Sequence, residues 1–124
     1  MNPLIGRIDN DQLILDITLV GKSLTLGTIA ILDTSLPEDL TIGSHESSGF
    51  TDFKISETSL LRNLNGTKPT STSYSVKVEL DGVVNHATAF VIKNGQTRIG
   101  NSLLKKFGFT KIEMDYNNFT FTLS

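Results

Sequence analysis

The sequence predicts an all-β domain, a barrel or a sandwich, with one short helix near its C-terminus. Three observations carry this. Long helical periodicity is nearly absent. Short strand-like runs recur, separated by Gly, Asn and Asp. Two of the breaks, Asn65-Gly66 and Asp81-Gly82, are hairpin turn pairs. A chain of 124 residues is large enough for one core but not two, so residues 1–124 are read as a single domain.

Leu4 to Ile8 is a first strand. Leu13 to Val20 follows, with Leu13, Leu15, Ile17 and Leu19 on one face and Gly21-Lys22 as a turn. Thr25 to Leu32 is a third strand that runs into Asp33. A bend at Leu36-Pro37-Glu38 leads to a short strand, Asp39 to Ile42. Ser44 to Asp52, rich in Ser and Gly, reads as a loop anchored by Phe50 and Phe53. Ser56 to Leu64 is a strand or an extended segment, Asn65-Gly66 turns it, and Thr67 to Ser73 with Pro69 forms an exposed arm. Tyr74, Val76, Val78 and Leu80 alternate with polar residues up to Asp81-Gly82, and Val83 to Ile92 returns. Asn94-Gly95 is a further turn. Asn101 to Phe107 is the helix. Asn101 or Ser102 can cap it, Lys105 and Lys106 suit its last turn, and Gly108 suits the C′ position. Lys111 to Tyr116 and Phe119 to Leu123 close the chain as a hairpin around Asn117-Asn118.

Composition narrows the function. Eleven Lys and Arg against thirteen Asp and Glu give a net charge of -2, with no basic surplus for nucleic acid. No apolar run approaches the roughly 20 residues of a membrane-spanning helix, and Met1-Asn2-Pro3-Leu4 does not open a signal peptide. There is no cysteine, hence no disulfide framework and no thiolate metal site, which is compatible with a cytoplasmic protein. His45 and His86 stand alone, without partners at metal-ligand spacing. Ser35, Ser44, Ser47 and Ser48 lack a His and an acid at the spacing of a triad. Glu38-Asp39 reads as a solvated acidic pair and Lys105-Lys106 as a helix-end charge pair.

The chemistry concentrates in Ala30-Ile31-Leu32-Asp33-Thr34-Ser35, an apolar run that ends in a carboxylate. On these residues alone two readings stand: an Asp that forms the turn after a strand, or a half-buried carboxylate fit for acid–base work. Peptide hydrolysis by carboxylates needs two of them in one site, one protonated and one ionised. Asp33 is the one Asp here that ends an apolar strand and is followed by small polar residues. Asp39 precedes its strand, and Asp81 and Asp115 lie in turn or surface contexts. A two-fold pairing of identical chains supplies the second carboxylate.

The order of motifs resembles that of the retropepsin-like aspartic proteases, especially their small prokaryotic single-domain branch. That family has two apolar residues before Asp-Thr-Gly, then a large apolar residue and a Leu-Thr-Leu strand. Ile31-Leu32-Asp33-Thr34, Leu36 and Leu40-Thr41-Ile42 fit those positions. The later apolar-Gly-x-x-Leu-Leu segment is matched by Ile99-Gly100-Asn101-Ser102-Leu103-Leu104.

The resemblance implies a closed acid-protease β-barrel with one flap hairpin per subunit, working as a homodimer on a peptide or protein substrate. Asp33 would be the catalytic residue, one per subunit, and Thr34 would hydrogen-bond across the dimer axis. Asn65 and Gly66 would lie at the flap tip over the substrate, with Leu36 beside the substrate. Ile99-Gly100 would pack behind the active loop. A water between two Asp33 carboxylates would attack the peptide, with no metal and no cofactor. Ile, Leu and Val would line a groove that favours apolar side chains. Neither nucleic acid nor membrane is an implied partner. One residue departs from the pattern: Ser35 stands where the family has Gly, whose missing Cβ allows close backbone approach. The alternative is therefore a catalytically impaired module of this fold that dimerises or binds peptides.

Overall fold

The computed structural model describes residues 2–21, 25–43, 54–57, 73–92 and 95–124. Its strands are β1 (Leu4–Asp9), β2 (Gln12–Val20), β3 (Thr25–Leu32), β4 (Leu40–Gly43), β5 (Lys54–Glu57), β6 (Ser73–Leu80), β7 (Val83–Ile92), β8 (Arg98–Ile99), β9 (Ile112–Asp115) and β10 (Thr120–Leu123). One helix, α1 (Asn101–Lys106), is present among the described residues. The described residues are thus all-β with one short helix, as the sequence predicts.

The strands form one sheet in the order β5-β6-β7-β4-β8-β3-β2-β1-β10-β9. β6 also pairs with β2, through Thr18↔Glu79, Leu19↔Val78 and Val20↔Lys77, so the sheet folds back on itself. Leu15, Leu19, Leu40, Ile42, Val78 and Ile99 fill the space inside and are almost wholly buried. Leu103, from α1, joins the same cluster. The alternation read in β2 holds for Leu15, Ile17 and Leu19, while Leu13 is half-buried and Ile14 is buried as well.

Turn chemistry accounts for two tight hairpins. Asp81 and Gly82 join β6 to β7, both at positive φ (49° and 81°). Asn10 and Asp11 do the same between β1 and β2, at 50° and 61°. This second hairpin carries no glycine signal, because Asn and Asp tolerate the left-handed region by themselves. In the last hairpin, the Asp115 carboxylate accepts from the Asn117 and Asn118 amides at 3.1 and 3.2 Å. The turns read at Gly21-Lys22, Asn65-Gly66 and Asn94-Gly95, the Ser44 to Asp52 loop with its anchors Phe50 and Phe53, and the Thr67 to Ser73 arm fall wholly or partly outside the described residues.

The end of α1 follows the expectation. Gly108 takes φ 84°, its N–H donates to the Lys105 carbonyl at 2.9 Å, and the Phe109 N–H donates to the Leu104 carbonyl at 3.0 Å. Its start does not. Gly100 occupies the cap position, and no side chain caps the helix. Asn101 turns to a partner outside the helix instead.

Glu38-Asp39 is the clearer correction. Asp39 is not solvated: it is buried, at 5% exposure. Lys106 reaches back from the end of α1 to Asp39 Oδ2 at 2.7 Å, and the Thr88 N–H donates to the same oxygen at 2.9 Å. Lys106 also donates to the His86 carbonyl at 3.2 Å. One cation therefore ties the helix to β7 and to the residue before β4. Burial pushes the Asp39 carboxyl up, but Lys106, the Thr88 amide and the Ser102 hydroxyl outweigh it and hold the pKa below the ordinary 3.8. Oδ1 makes no well-formed hydrogen bond, so the help from Ser102 is a loose one. The sequence could not show this arrangement, since the two charges lie 67 residues apart.

Because its native pKa is depressed, Asp39 contributes stability above the ordinary carboxylate range and loses it as pH falls through the native value. Lys106→Met leaves that carboxylate buried without its cation. We expect a loss of about 3 kcal/mol at pH 7 in urea unfolding. The loss should shrink toward pH 3, where the buried carboxyl is neutral in the variant.

Candidate active site

The site is built where β3 ends. β3 and β8 run parallel, with Ile31 opposite Arg98 and Leu32 opposite Ile99. The Asp33 N–H continues this pairing to the Ile99 carbonyl at 2.9 Å. The chain then turns: the Leu36 N–H donates to the Asp33 carbonyl at 3.1 Å. Three further bonds lace this loop to the start of α1. The Asn101 N–H donates to the Leu36 carbonyl at 2.9 Å and the Gly100 N–H to the Asp39 carbonyl at 3.0 Å. The Asn101 side-chain amide donates to the Thr34 carbonyl at 2.6 Å. This is why Asn101 is not a helix cap: its side chain holds the loop.

The lacing requires glycine at position 100. A Cβ there would stand 2.0 Å from the Glu38 carbonyl oxygen and 2.6 Å from that of Leu36. Both obstacles are backbone, so neither yields cheaply.

The Asp33 side chain is 24% exposed, and both its oxygens are engaged within the chain. Oδ1 accepts from the Ser35 N–H at 3.0 Å and from the Ser35 hydroxyl at 2.5 Å. Oδ2 faces Arg98 Nη1 at 3.3 Å. The Ser35 hydroxyl is the largest influence on the carboxyl. Burial opposes it, and the Ser35 amide and Arg98 act with it, so the pKa lies below 3.8. Ser35 is absent from the residues at positive φ, so its backbone makes no demand that only glycine meets. The serine keeps an amide contact that glycine can also make and adds a hydroxyl.

Asp33 and Thr34 line a cleft of about 320 Å³ together with Leu13, Ile31, Leu32 and Met114 on its apolar side. Asp11, Gln12, Arg98 and Tyr116 also line it. Its walls are mixed, because β8 sends a guanidinium into them. Thr34 is exposed. Leu36 is half-buried, with its Cγ against Gly100, and does not line this cleft. Asn65 and Gly66 lie outside the described residues. No cluster of three or more His, Cys, Asp or Glu suited to a metal ion occurs among the described residues. Sequence reasoning passed over Arg98 and Asn101 as site residues. The one available signal was a cation between Thr97 and Ile99, both buried.

The architecture is a retropepsin-like fold. Among solved structures, the chain is similar to a retropepsin-like aspartic protease from Rickettsia conorii, with a TM-score of 0.64 and 16% identity, over 98% of this chain and 89% of that one. It is also similar to the retroviral protease-like domain of Ddi1 from Leishmania major, with a TM-score of 0.50 and 12% identity, over 90% of this chain and 88% of that one. No protein-family model and no curated protein sequence matches it.

Two outcomes are expected from this geometry. Gly100→Ala should destabilise the fold by about 3 kcal/mol in chemical denaturation, since the loop and helix must separate. Ser35→Gly should move the Asp33 titration upward toward the ordinary carboxylate value, read by carboxyl-carbon NMR, because the amide contact survives and the hydroxyl does not.

Proposed function

We propose that this protein is an aspartic endopeptidase that works as a homodimer. The observation that carries the reading is Asp33: a partly buried carboxylate at a strand end, in a cleft, on a loop laced to the start of a helix in a retropepsin-like fold. In the dimer, two Asp33 carboxylates would share one proton. The protonated one would polarise the scissile carbonyl, and the ionised one would take a proton from the attacking water. The pair would supply both acid and base, without a covalent intermediate, metal or cofactor. Thr34 would hold the two loops in register across the axis, and the hairpin around Asn65 and Gly66 would cover an extended peptide, with Leu36 beside it. The absence of cysteine supports a cytoplasmic location.

One observation favours a second reading. Both Asp33 oxygens already have partners within a single chain, Ser35 and Arg98. A dyad held fully ionised lacks the protonated carboxyl that polarises the scissile carbonyl. The second reading is therefore a peptide-binding or dimerising module of the same fold.

Incubation with an unfolded protein across pH 4 to 7 separates the two. The endopeptidase reading expects cleavage by the wild type, best at mildly acidic pH. Asp33→Asn should lose activity by about 10³-fold or more while keeping its circular dichroism spectrum. Equal behaviour of the two proteins at every pH, or a strict monomer at high micromolar concentration in sedimentation, would sink it.

A further inference from the structure

We propose that Arg98 is a positioning residue of the Asp33 pair, one that confines the singly protonated, working form of the pair to acid pH. The proposal rests on the dimeric protease reading and adds a residue that the family pattern does not assign.

The geometry comes from strand register. Arg98 pairs with Ile31 across the parallel β3–β8 ladder, and Asp33 lies two residues beyond Ile31 on the same face. A diagonal neighbour at that distance is within reach of a long side chain. Nη1 stands 3.3 Å from Asp33 Oδ2, while Nη2 donates to Gln96 Oε1 at 3.2 Å. The second contact aims the guanidinium. The two side chains are 35% and 24% exposed, so solvent screens them less than a surface pair.

The other groups facing Asp33 do not cancel this cation. The β1–β2 turn contributes Asp11, which is exposed and well screened. The C-terminal hairpin contributes Met114 and the phenol of Tyr116, and the loop itself contributes the Thr34 and Ser35 hydroxyls. Among the described residues, Arg98 is thus the one cation in the cleft lining.

The consequence follows from counting charge. Two carboxylates in one site keep a proton because two like charges repel. With two copies of Arg98, the pair gains two cations, and the repulsion that retains the proton is offset. The doubly ionised, inactive form then persists to lower pH than in a pair without these cations. The downward influence of Arg98 on Asp33 in the single chain has the same sign. An opposite charge within about 4–6 Å moves a carboxyl by one unit or more.

The test compares wild type, Arg98→Gln and Arg98→Lys. For each, kcat/KM is followed against pH, and Asp33 is titrated by carboxyl-carbon NMR. In Arg98→Gln, the basic limb of the activity profile and the Asp33 midpoint should both rise by about one pH unit. Arg98→Lys, which keeps the charge, should stay close to wild type. A loss of packing alone would lower activity at all pH values without moving the limb. An unmoved Asp33 midpoint in Arg98→Gln overturns the proposal. A raised midpoint in proteins that cleave nothing at any pH upholds the hold of Arg98 on Asp33 and overturns the protease reading instead.

Discussion

The close approach of two backbone segments at Gly100 is the constraint on which the site depends. Residues 33–39 and 99–101 meet through main-chain bonds at 2.9–3.0 Å, and there is no room between them for a Cβ. Everything that gives Asp33 its setting follows from that contact. It places the end of β3 beside β8, brings Arg98 onto the carboxylate, and sets the Asn101 amide under Thr34. A looser junction would leave an Asp at the end of a strand and nothing more.

Two carboxylates flank this junction, and they meet different fates. Asp39 is buried and neutralised by Lys106, so its charge is structural. Asp33 is partly exposed and held ionised by a hydroxyl and a guanidinium, so its charge remains available to a ligand. Depth of burial and the identity of the partner separate the roles. Lys106 is a flexible point charge at the end of a helix, whereas Arg98 offers a planar fork with donors to spare. The same loop therefore carries a buried anchor at one end and a partly exposed carboxylate at the other.

Local rules made much of the fold legible. Alternation fixed β2 and β6, Asp81-Gly82 announced its hairpin, and Gly108 marked the helix end. The Asp33-Thr34 and Ile99-Gly100 motifs pointed to each other, and the chain brings them together. What stayed hidden required knowledge of distant neighbours. Asp39 looked solvated because its partner lies 67 residues away, and Asn101 looked like a cap because the Thr34 carbonyl is equally remote in sequence. Arg98 sat inside a matched motif region without a role, since a cation in a two-residue strand has no periodicity to betray its direction. Ser35 departs from the Gly of the family pattern. Its backbone proves ordinary, and its hydroxyl is a partner of the carboxylate.

The lacing also has a temporal meaning. Its two halves are separated by most of the chain, with the Asp33–Arg98 contact closing a span of 65 residues. During synthesis, the first half emerges with β1 to β4 long before residues 99–101 exist. Until the late segment arrives, β3 has β2 beside it but not β8, and Asp33 has no guanidinium and no helix behind its loop. Long-range closures of this kind form slowly relative to local hairpins. A chain without residues 98–124 therefore has the carboxylate without the cleft wall that Arg98, Met114 and Tyr116 supply.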